Sequence, residues 1–337
     1  MDLGTFTSGT TIRHDSSSII SEPHISPEQH ACLGLFGKVQ ELLQSSPSDD
    51  AAHQSLDELF GTLRDCKQST SSDVWAGLVR TFRKHPLMEL LHRDPFTFRA
   101  YSKPRGYAGD AVMMDYIYGR EELWPMPETD AIGRHVFNYT TQAPASEGVR
   151  SRRAHIAAFI DRLTQERRRP HILSIACGHL REVNLSAAIR RRKTGRLVAL
   201  DADAASLTEV QRAYGVYGVE TVAASFREML QVHRKTGDFD LVYSTGLFDY
   251  LNQRTARRLV TSMFKMLRPG GVVLVANFLP AVRDIGYMET FMDWNLIYRS
   301  RGDMMDLTMD IPEDDIREVT VLSEEFRNIV FLQVTKN

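Results

Sequence analysis

Two short apolar runs in the middle of the chain constrain its fold more than any other feature. Residues 171–176 (His-Ile-Leu-Ser-Ile-Ala) precede a tight turn, and residues 197–200 (Leu-Val-Ala-Leu) end directly before Asp201. Their separation matches the spacing of about 20 residues in a nucleotide-binding βαβ unit, where an acidic residue at the tip of the second strand binds a ribose hydroxyl pair. The runs therefore predict two neighbouring strands with a ligand site at their ends.

The alternation of strand and helix patterns continues along the chain and predicts an α/β fold. We expect strands at residues 171–176, 197–201, 219–223, 239–244 and 271–278. We expect helices near residues 181–192, 203–213, 225–235, 253–267 and 285–300. Two further apolar runs, 319–322 and 329–334, predict an antiparallel C-terminal edge pair. Such a pattern gives a Rossmann-like doubly wound sheet, parallel apart from that pair, with helices on both faces.

The N-terminal part of the chain has a different pattern. Residues 1–25 are rich in Ser, Thr and Gly without periodicity, which predicts a disordered tail. From Ser26 onward, apolar residues recur at helical spacing, interrupted by prolines. We therefore expect a helical lid or substrate domain over residues 26–150, followed by the α/β domain over residues 151–337.

Composition excludes several classes of protein. With 42% hydrophobic residues the chain can bury a full core, and its net charge of −2 lacks the basic footprint of nucleic-acid binding. No apolar run approaches the ~18 residues of a membrane span, and no secretory signal is recognisable. We expect a cytoplasmic protein that binds no nucleic acid, membrane or metal. The oligomeric state stays open, with a homodimer as one alternative.

Four motifs between residues 149 and 337 resemble those of class I S-adenosylmethionine-dependent methyltransferases. They are residues 174–178 (Ser-Ile-Ala-Cys-Gly), Asp201, residues 239–246 (Phe-Asp-Leu-Val-Tyr-Ser-Thr-Gly) and residues 267–275 (Leu-Arg-Pro-Gly-Gly-Val-Val-Leu-Val). The resemblance implies a methyltransferase catalytic domain over residues 151–337, with S-adenosylmethionine as cofactor and a small molecule as acceptor. A generic βα turn of a dinucleotide-binding oxidoreductase is the alternative.

The resemblance also implies a set of cofactor-binding residues. They are Ala176, Cys177, Gly178, His179, Asp201, Ala202, Ser225, Phe226, Ser244, Thr245 and Gly246. One departure concerns the loop after the first strand, where the family usually has an acid and several glycines. Here Ser174, Ala176 and Leu180 occupy three of those positions, which limits access to positive φ. The methionine ammonium of the cofactor is therefore expected to bind elsewhere.

A second set of motifs lies outside the predicted sheet. Residues 103–110 (Lys-Pro-Arg-Gly-Tyr-Ala-Gly-Asp) and 292–299 (Met-Asp-Trp-Asn-Leu-Ile-Tyr-Arg) resemble a bacterial subgroup that includes the synthases of 3-hydroxy fatty acid methyl esters. From this resemblance we expect Asp110 to bind the cofactor ammonium, Tyr107 and Tyr298 to position the reactants, and the substrate to contact Tyr250, Trp294 and Arg299. A structural loop at 103–110, and a core role for the aromatic residues, are the alternatives.

The acceptor decides which chemistry the chain must supply. Methyl transfer is an in-line displacement that depends mainly on proximity and alignment. An ionised carboxylate of a fatty acid or specialised metabolite, the acceptor favoured by the resemblance, needs no base. A hydroxyl or amine acceptor would need one, such as His135, His155, Asp249 or a tyrosine. Another alternative is a regulatory protein that binds the cofactor without turnover.

Overall fold

The computed structural model describes residues 27–119, 125–230 and 238–337. The tail expected at residues 1–25 lies outside the described residues, as does the second half of the helix expected near 225–235. Among the described helices, none combines the length and the apolar character needed to cross a membrane.

Helices occupy the described chain before the first strand. They are α1 (Pro27–Gln44), α2 (Asp49–Ser69), α3 (Ser72–Phe82), α4 (Leu87–Leu91), α5 (Pro95–Ser102), α6 (Ala111–Ile117), α7 (Ala131–Thr140) and α8 (Pro144–Glu166). Short polar side chains fix several of their starts. Ser48, Ser71, Asp94, Asp110 and Asp130 each accept a hydrogen bond from a backbone N–H in the first turn that follows. The helical prediction for this part of the chain is confirmed.

In the part of the chain that the structure describes, seven strands form one sheet in the order β3-β2-β1-β4-β5-β7-β6. They are β1 (His171–Ile175), β2 (Arg196–Asp201), β3 (Val219–Ala223), β4 (Phe239–Ser244), β5 (Leu267–Phe278), β6 (Ile316–Ser323) and β7 (Ile329–Lys336). Strands β1 to β5 are parallel, whereas β7 runs antiparallel to β5 and β6 antiparallel to β7. The predicted fold class is confirmed. The strand order reverses between β1 and β4, which is where open α/β sheets bind ligands at their carboxyl edge.

The two faces of the sheet belong to two different cores. Leu274 and Ala276 of β5 pack into the core shared with the N-terminal helices, whereas Val273 and Val275 pack into the core shared with α12 (Gln253–Lys265). Successive side chains of a strand point to opposite faces, and strands covered on both faces are apolar at every position. This double burial explains why the central strands β1, β2, β4 and β5 read as largely apolar runs in the sequence, whereas β3 and β6 are partly exposed.

The remaining helices differ in part from the expectation. They are α9 (Ala187–Arg190), α10 (Ala204–Tyr214), α11 (Phe226–Met229), α13 (Ile285–Phe291) and α14 (Arg301–Met305). The helix expected near 181–192 is a 3-10 turn, Arg181–Asn184, followed by α9.

The helix expected near 285–300 ends at Phe291, so that Trp294 and Tyr298 do not share a helix face. Asp293 adopts a left-handed φ of +46°, and the following backbone bonds to other elements instead of to itself. Ile297 N–H donates to the carbonyl of Asp249, and Arg299 N–H donates to the carbonyl of Phe278. Tertiary hydrogen bonds therefore replace the helix that periodicity predicted.

The helical layer does not end at the expected domain boundary. Residue 150 lies inside α8, which is continuous from Pro144 to Glu166. Helix α13, from the C-terminal part of the chain, packs among the N-terminal helices. There Glu289 accepts hydrogen bonds from Trp75 Nε1 and Lys67 Nζ, both at 2.7 Å. The helical layer therefore includes a helix that follows β5 as well as the helices that precede β1.

The contact between α13 and α2 depends on a glycine and can be tested by substitution. A Cβ at Gly286 would lie 2.5 Å from the backbone carbon of Leu63, whereas one at Gly34 of α1 would meet no atom within 4 Å. We expect Gly286→Ala to lower the melting temperature through an overpacking cost of about 1–3 kcal/mol. The matched change Gly34→Ala should leave the melting temperature equal or higher. Equal melting temperatures for the two variants would contradict the close packing of α13 on α2.

Candidate functional site

A cavity of about 400 Å³ lies at the carboxyl edge of the sheet, next to the ends of β1, β2 and β4. This volume falls within the range of about 300–1,000 Å³ typical of small-molecule sites. Of the residues predicted from the sequence, those that line it are Ala176, Cys177, Gly178, His179, Asp201, Ala202, Phe226, Thr245, Gly246, Tyr107, Tyr250 and Trp294. The structure thus brings both sets of sequence motifs to one cavity.

The loop after β1 adopts left-handed backbone conformations at alternate residues, although it contains one glycine. Ala176, Gly178 and Leu180 have φ values of +52°, +53° and +52°. Ala176 and Leu180 therefore adopt positive φ, although side chains at these positions were expected to limit access to it. Each non-glycine residue in this region costs on the order of 1–2 kcal/mol, so the surrounding contacts must hold the turn.

Asp201 is one of the groups that hold this turn. Its carboxylate accepts hydrogen bonds from Gly178 N–H at 2.8 Å and from Asp203 N–H at 2.9 Å, while the side chain still lines the cavity. Burial raises the pKa of the Asp201 carboxyl, against the effect of these two donors. Each carboxylate oxygen retains a second lone pair, so Asp201 can still accept from a ligand hydroxyl.

A buried polar cluster anchors the same loop to helices α6 and α10. Arg181, 1% exposed, donates to Asp115 of α6 at 2.6 and 2.7 Å and to Glu209 of α10 at 2.9 Å. His179 Nδ1 donates to Asp115 at 2.7 Å, and Arg105 lies 3.4 Å from its Nε2. Both ring nitrogens of His179 therefore have partners within the protein, which leaves the ring a positioning role.

Aromatic side chains wall the part of the cavity next to the 103–110 loop. Trp294 Nε1 donates to the Tyr250 hydroxyl at 2.9 Å, and the rings of Tyr107 and Tyr250 meet edge to face at 6.5 Å. A Cβ at Gly109 would lie 2.5 Å from Trp294 and 2.7 Å from the Tyr250 hydroxyl. Glycine at this position therefore allows the loop to pack directly on the aromatic pair.

The charged residues of the cavity lining that the sequence analysis did not select include Glu182 and Arg152. Glu182, directly after the β1 loop, accepts a hydrogen bond from the Tyr243 hydroxyl, and burial raises the pKa of its carboxyl. Arg152 of α8 lies beside Gly246, at 4.0 Å from the Met114 sulfur. No ion pair of Arg152 with a carboxylate occurs among the described residues. A helix preceding the first strand carried no motif signal, so Arg152 was not distinguishable by sequence.

A third charged residue, Asp249, lines the cavity between the ends of β4 and β5. One carboxylate oxygen accepts from Phe278 N–H at 2.7 Å, and the side chain is 2% exposed. Burial raises the pKa of the Asp249 carboxyl to about 6, although Arg152, the Phe278 N–H and Arg299 act to lower it. Of the bases considered from the sequence, Asp249 and three tyrosines, Tyr107, Tyr118 and Tyr250, reach the cavity.

The two histidines considered as bases lie elsewhere. His135 pairs with Asp49 at 2.9 Å, and its partner side chain is largely exposed. His155 stacks on Phe331, with ring centroids 4.4 Å apart. Neither ring borders the cavity at the sheet edge, so neither is placed to accept a proton there.

The structure places Asp110 outside the cavity lining, contrary to the role predicted for it. The residue is fully buried and caps α6 by accepting from Val112 N–H and Met113 N–H. Arg99 binds the same carboxylate through two hydrogen bonds of 3.0 and 2.7 Å. Because capping and the ion pair occupy the carboxylate, Asp110 is not available to a cofactor ammonium.

Arg299 and Tyr298 are also outside the cavity lining. Arg299 is 1% exposed and donates to the carbonyls of Phe248 and Leu251 and to the side chains of Gln253 and Asn277. Its donors therefore support the chain after β5 and do not face an acceptor. The Tyr298 hydroxyl is buried without a hydrogen-bond partner in the described part of the chain.

Ser225 and Ser244 differ from their expected role for local reasons. Ser225 forms a capping box with Glu228 at the start of α11, which turns its hydroxyl toward the helix. Ser244 is fully buried at the end of β4, while the next two residues, Thr245 and Gly246, reach the cavity. Motif position alone could not distinguish these neighbours.

Known proteins resemble this chain in fold and in part of its sequence. The family model described as a methyltransferase domain matches residues 172–271. A possible exported protein from Bordetella parapertussis is 15% identical, with a TM-score of 0.56 over 80% of this chain and 98% of that one. No curated protein matches the sequence significantly.

Two solved methyltransferases match with lower structural similarity. The magnesium protoporphyrin IX methyltransferase of Synechocystis is 10% identical, with a TM-score of 0.44 over 68% of this chain and 100% of that one. A TehB-like S-adenosylmethionine-dependent methyltransferase from Corynebacterium glutamicum is 16% identical, with a TM-score of 0.39 over 54% and 86%.

The domain match covers the loop after β1, Asp201 and the end of β4, which are the elements that form the cavity. The match supports the prediction, made from the sequence motifs, of an S-adenosylmethionine-dependent methyltransferase activity with S-adenosylmethionine as cofactor. The narrower subgroup of 3-hydroxy fatty acid methyl ester synthases stays a prediction, as does the cytoplasmic location. Residues 172–271 thus match a methyltransferase domain within a Rossmann-like fold.

Proposed function

We propose that the protein is an S-adenosylmethionine-dependent methyltransferase that acts on a small molecule. The supporting observation is the position of the cavity: it lies where the strand order reverses, between the Asp201 carboxylate and an aromatic wall. The methyltransferase-domain match spans the same strands. When bound, S-adenosylmethionine would supply an electrophilic methyl group. Tyr107 remains a candidate for positioning the reactants.

The residues that line the cavity fit both ends of this cofactor. Asp201 is placed to accept hydrogen bonds from the ribose hydroxyls, and the Phe226 ring lines the same side beyond β2. We assign the methionine ammonium to Glu182 in place of Asp110, because Glu182 is the carboxylate that follows the β1 loop into the cavity. Arg152, beside Gly246, is assigned to the methionine carboxylate as a bidentate partner.

The acceptor shares a largely apolar chamber with the transferred methyl group. Tyr250, Trp294, Leu296 and Phe278 contribute to its walls, which suits the apolar body of a small molecule better than an extended polymer. A fatty acid or other metabolite carboxylate, as the motif resemblance implied, is one acceptor class that such a chamber could admit. An amine or hydroxyl is the other. In either class the residues act mainly by excluding water and aligning the reacting atoms.

The assignment of Glu182 predicts a selective effect on the amino-acid end of the ligand. Glu182→Gln should weaken binding of S-adenosylhomocysteine about 10-fold or more, since a charge-assisted hydrogen bond contributes about 1.5–3 kcal/mol. Binding of 5′-methylthioadenosine, which lacks the amino acid, should be unchanged in calorimetry. Asp201→Ala should weaken both ligands, because both carry the ribose. A loss for both ligands in Glu182→Gln would contradict the assignment.

Asp110→Asn should affect stability and not ligand selectivity. The variant retains a capping oxygen but loses the charge that pairs with Arg99, at a cost of about 2 kcal/mol, because Arg99 reaches solvent and the pair is only partly buried. We expect a lower melting temperature with an unchanged ratio of S-adenosylhomocysteine to 5′-methylthioadenosine affinity. A selective loss of S-adenosylhomocysteine would restore Asp110 as the ammonium ligand.

Turnover can be tested directly with methyl-labelled S-adenosylmethionine and a small-molecule extract of the source organism. A methyltransferase should transfer the label to a small product, and Asp201→Ala should abolish the transfer at cofactor concentrations that saturate the wild type. Tight cofactor binding without any labelled product would favour the alternative of a regulatory protein.

A further inference from the structure

We propose that Asp249 accepts the proton of the methyl acceptor, so that the acceptor is an amine or hydroxyl carried on a flat apolar body and not a carboxylate. This inference depends on the proposed methyltransferase function and names its substrate class. It starts from the distribution of charge around the cavity, where each described carboxylate except one has an ion-pair partner in the protein or a proposed role toward the cofactor.

Four described carboxylates line the cavity: Glu182, Asp201, Asp203 and Asp249. Arg105 binds Asp203 at 2.8 Å, and the Ser206 hydroxyl donates to the same side chain. Asp201 and Glu182 face the ribose and the ammonium of the cofactor in the proposed arrangement. Asp249 is the carboxylate that remains without such a role. One of its oxygens accepts from Phe278 N–H, and the other accepts no hydrogen bond among the described residues.

The strand order separates Asp249 from the nucleoside end of the site. Asp201 ends β2, whereas Asp249 follows β4 and is bonded to the end of β5. Three strand spacings lie between β2 and β5, which amounts to about 14 Å across the sheet edge. A cofactor anchored at Asp201, Glu182 and Arg152 would therefore direct its methyl group toward the chamber where Asp249, Tyr250 and Trp294 lie.

The groups around Asp249 favour a base over an anion-binding site. Arg152 from α8 and Arg299 from the segment after α13 act electrostatically on its carboxyl, and its charge in turn acts on Tyr250 and Tyr298. Four of the five N–H donors of Arg299 are bound within the protein and its side chain does not line the cavity, so it is not placed to neutralise an incoming carboxylate. A carboxylate acceptor would meet the negative charge of Asp249, whereas an N–H or O–H group would meet a hydrogen-bond acceptor.

The proton balance of the step is simple. As the acceptor nitrogen or oxygen forms its bond to the methyl carbon, the carbon–sulfur bonding pair returns to sulfur. The proton on the acceptor passes to the Asp249 carboxylate, which loses it to solvent after the product leaves. The aromatic chamber holds the acceptor body by stacking, and a cationic amine would gain attraction to the ring faces of Tyr107, Tyr250 and Trp294. Such an amine gives its proton to Asp249 before the bond to the methyl carbon forms, because an ammonium nitrogen has no lone pair with which to attack.

The position of Asp249 can be tested without knowing the acceptor. Sinefungin carries an amine-bearing carbon where the cofactor carries its methylated sulfur, so its ammonium should reach Asp249. We expect Asp249→Asn to weaken sinefungin binding about 10- to 100-fold while S-adenosylhomocysteine binding stays nearly unchanged. The asparagine oxygen can still accept from Phe278 N–H, which limits structural damage. Equal losses for both ligands, or no loss for either, would overturn the proposal.

Asp284→Asn is the matched control. Asp284 is 3% exposed, accepts a backbone N–H from Ala145, and has a pKa raised by burial to about 7, but it does not line the cavity. The Asp284→Asn variant should bind sinefungin and S-adenosylhomocysteine with the same affinities as the wild type. A selective loss of sinefungin in this variant would show that removal of any buried aspartate has this effect, and the proposal would fail.

The chemistry of the product tests the acceptor class with the wild-type protein. Labelled product from the small-molecule extract is treated with dilute alkali, which releases methanol from methyl esters and leaves N-methyl and O-methyl ether groups intact. We expect alkali-stable label. Release of labelled methanol would overturn the proton-bearing acceptor while preserving the proposed methyltransferase. Absence of any labelled product would instead overturn the proposed function itself.

Discussion

The hydrogen bond from Gly178 N–H to the Asp201 carboxylate connects the two strands on which the site depends. It closes the turn after β1 against the tip of β2, at 2.8 Å, while the neighbouring Cys177 N–H donates to the Leu200 carbonyl. Together these bonds stabilise a turn whose residues Ala176 and Leu180 have unfavourable positive φ. Asp201, which we propose to bind the ribose, therefore also determines the shape of the loop beside it.

The buried cluster around Arg181 extends this connection to the helical layer. Asp115 comes from α6, which precedes the sheet, yet it binds His179 and Arg181 of the β1 loop. Although burial acts to raise it, Arg181 and His179 hold the pKa of Asp115 below its usual value. Removing one partner would leave a buried charge uncompensated. These contacts thus fix the loop at 103–110, the start of α6 and the loop after β1 relative to one another.

The sequence predicted the sheet well because continuous apolar runs are the direct consequence of burial on both faces. It predicted the cavity residues that follow strand ends, such as Asp201 and Gly246, because topology places strand ends together. The sequence-based predictions failed where one residue type can serve either a structural role or a ligand-binding role. An aspartate before a helix can cap or bind a ligand, and Asp110 caps. Arg299 could likewise bind a ligand or the protein itself, and it donates hydrogen bonds to backbone carbonyls. Arg152 and Glu182 had no sequence pattern that distinguished them from other charged residues.

The charge balance of the cavity gives a physical reason for a cationic ligand. Asp201, Glu182 and Asp249 all have pKa values raised by burial, and Arg152 is the guanidinium in the described lining without a carboxylate ion pair. Burial penalises each ionised carboxyl as long as no positive charge lies opposite. A ligand with positive charges near Glu182 and Asp249 would offset that penalty and favour ionisation of these two carboxyls. Ligand binding should therefore release protons from these carboxyls. The same electrostatics favour the ionised form of Asp249, which is the form that can accept a proton from the acceptor.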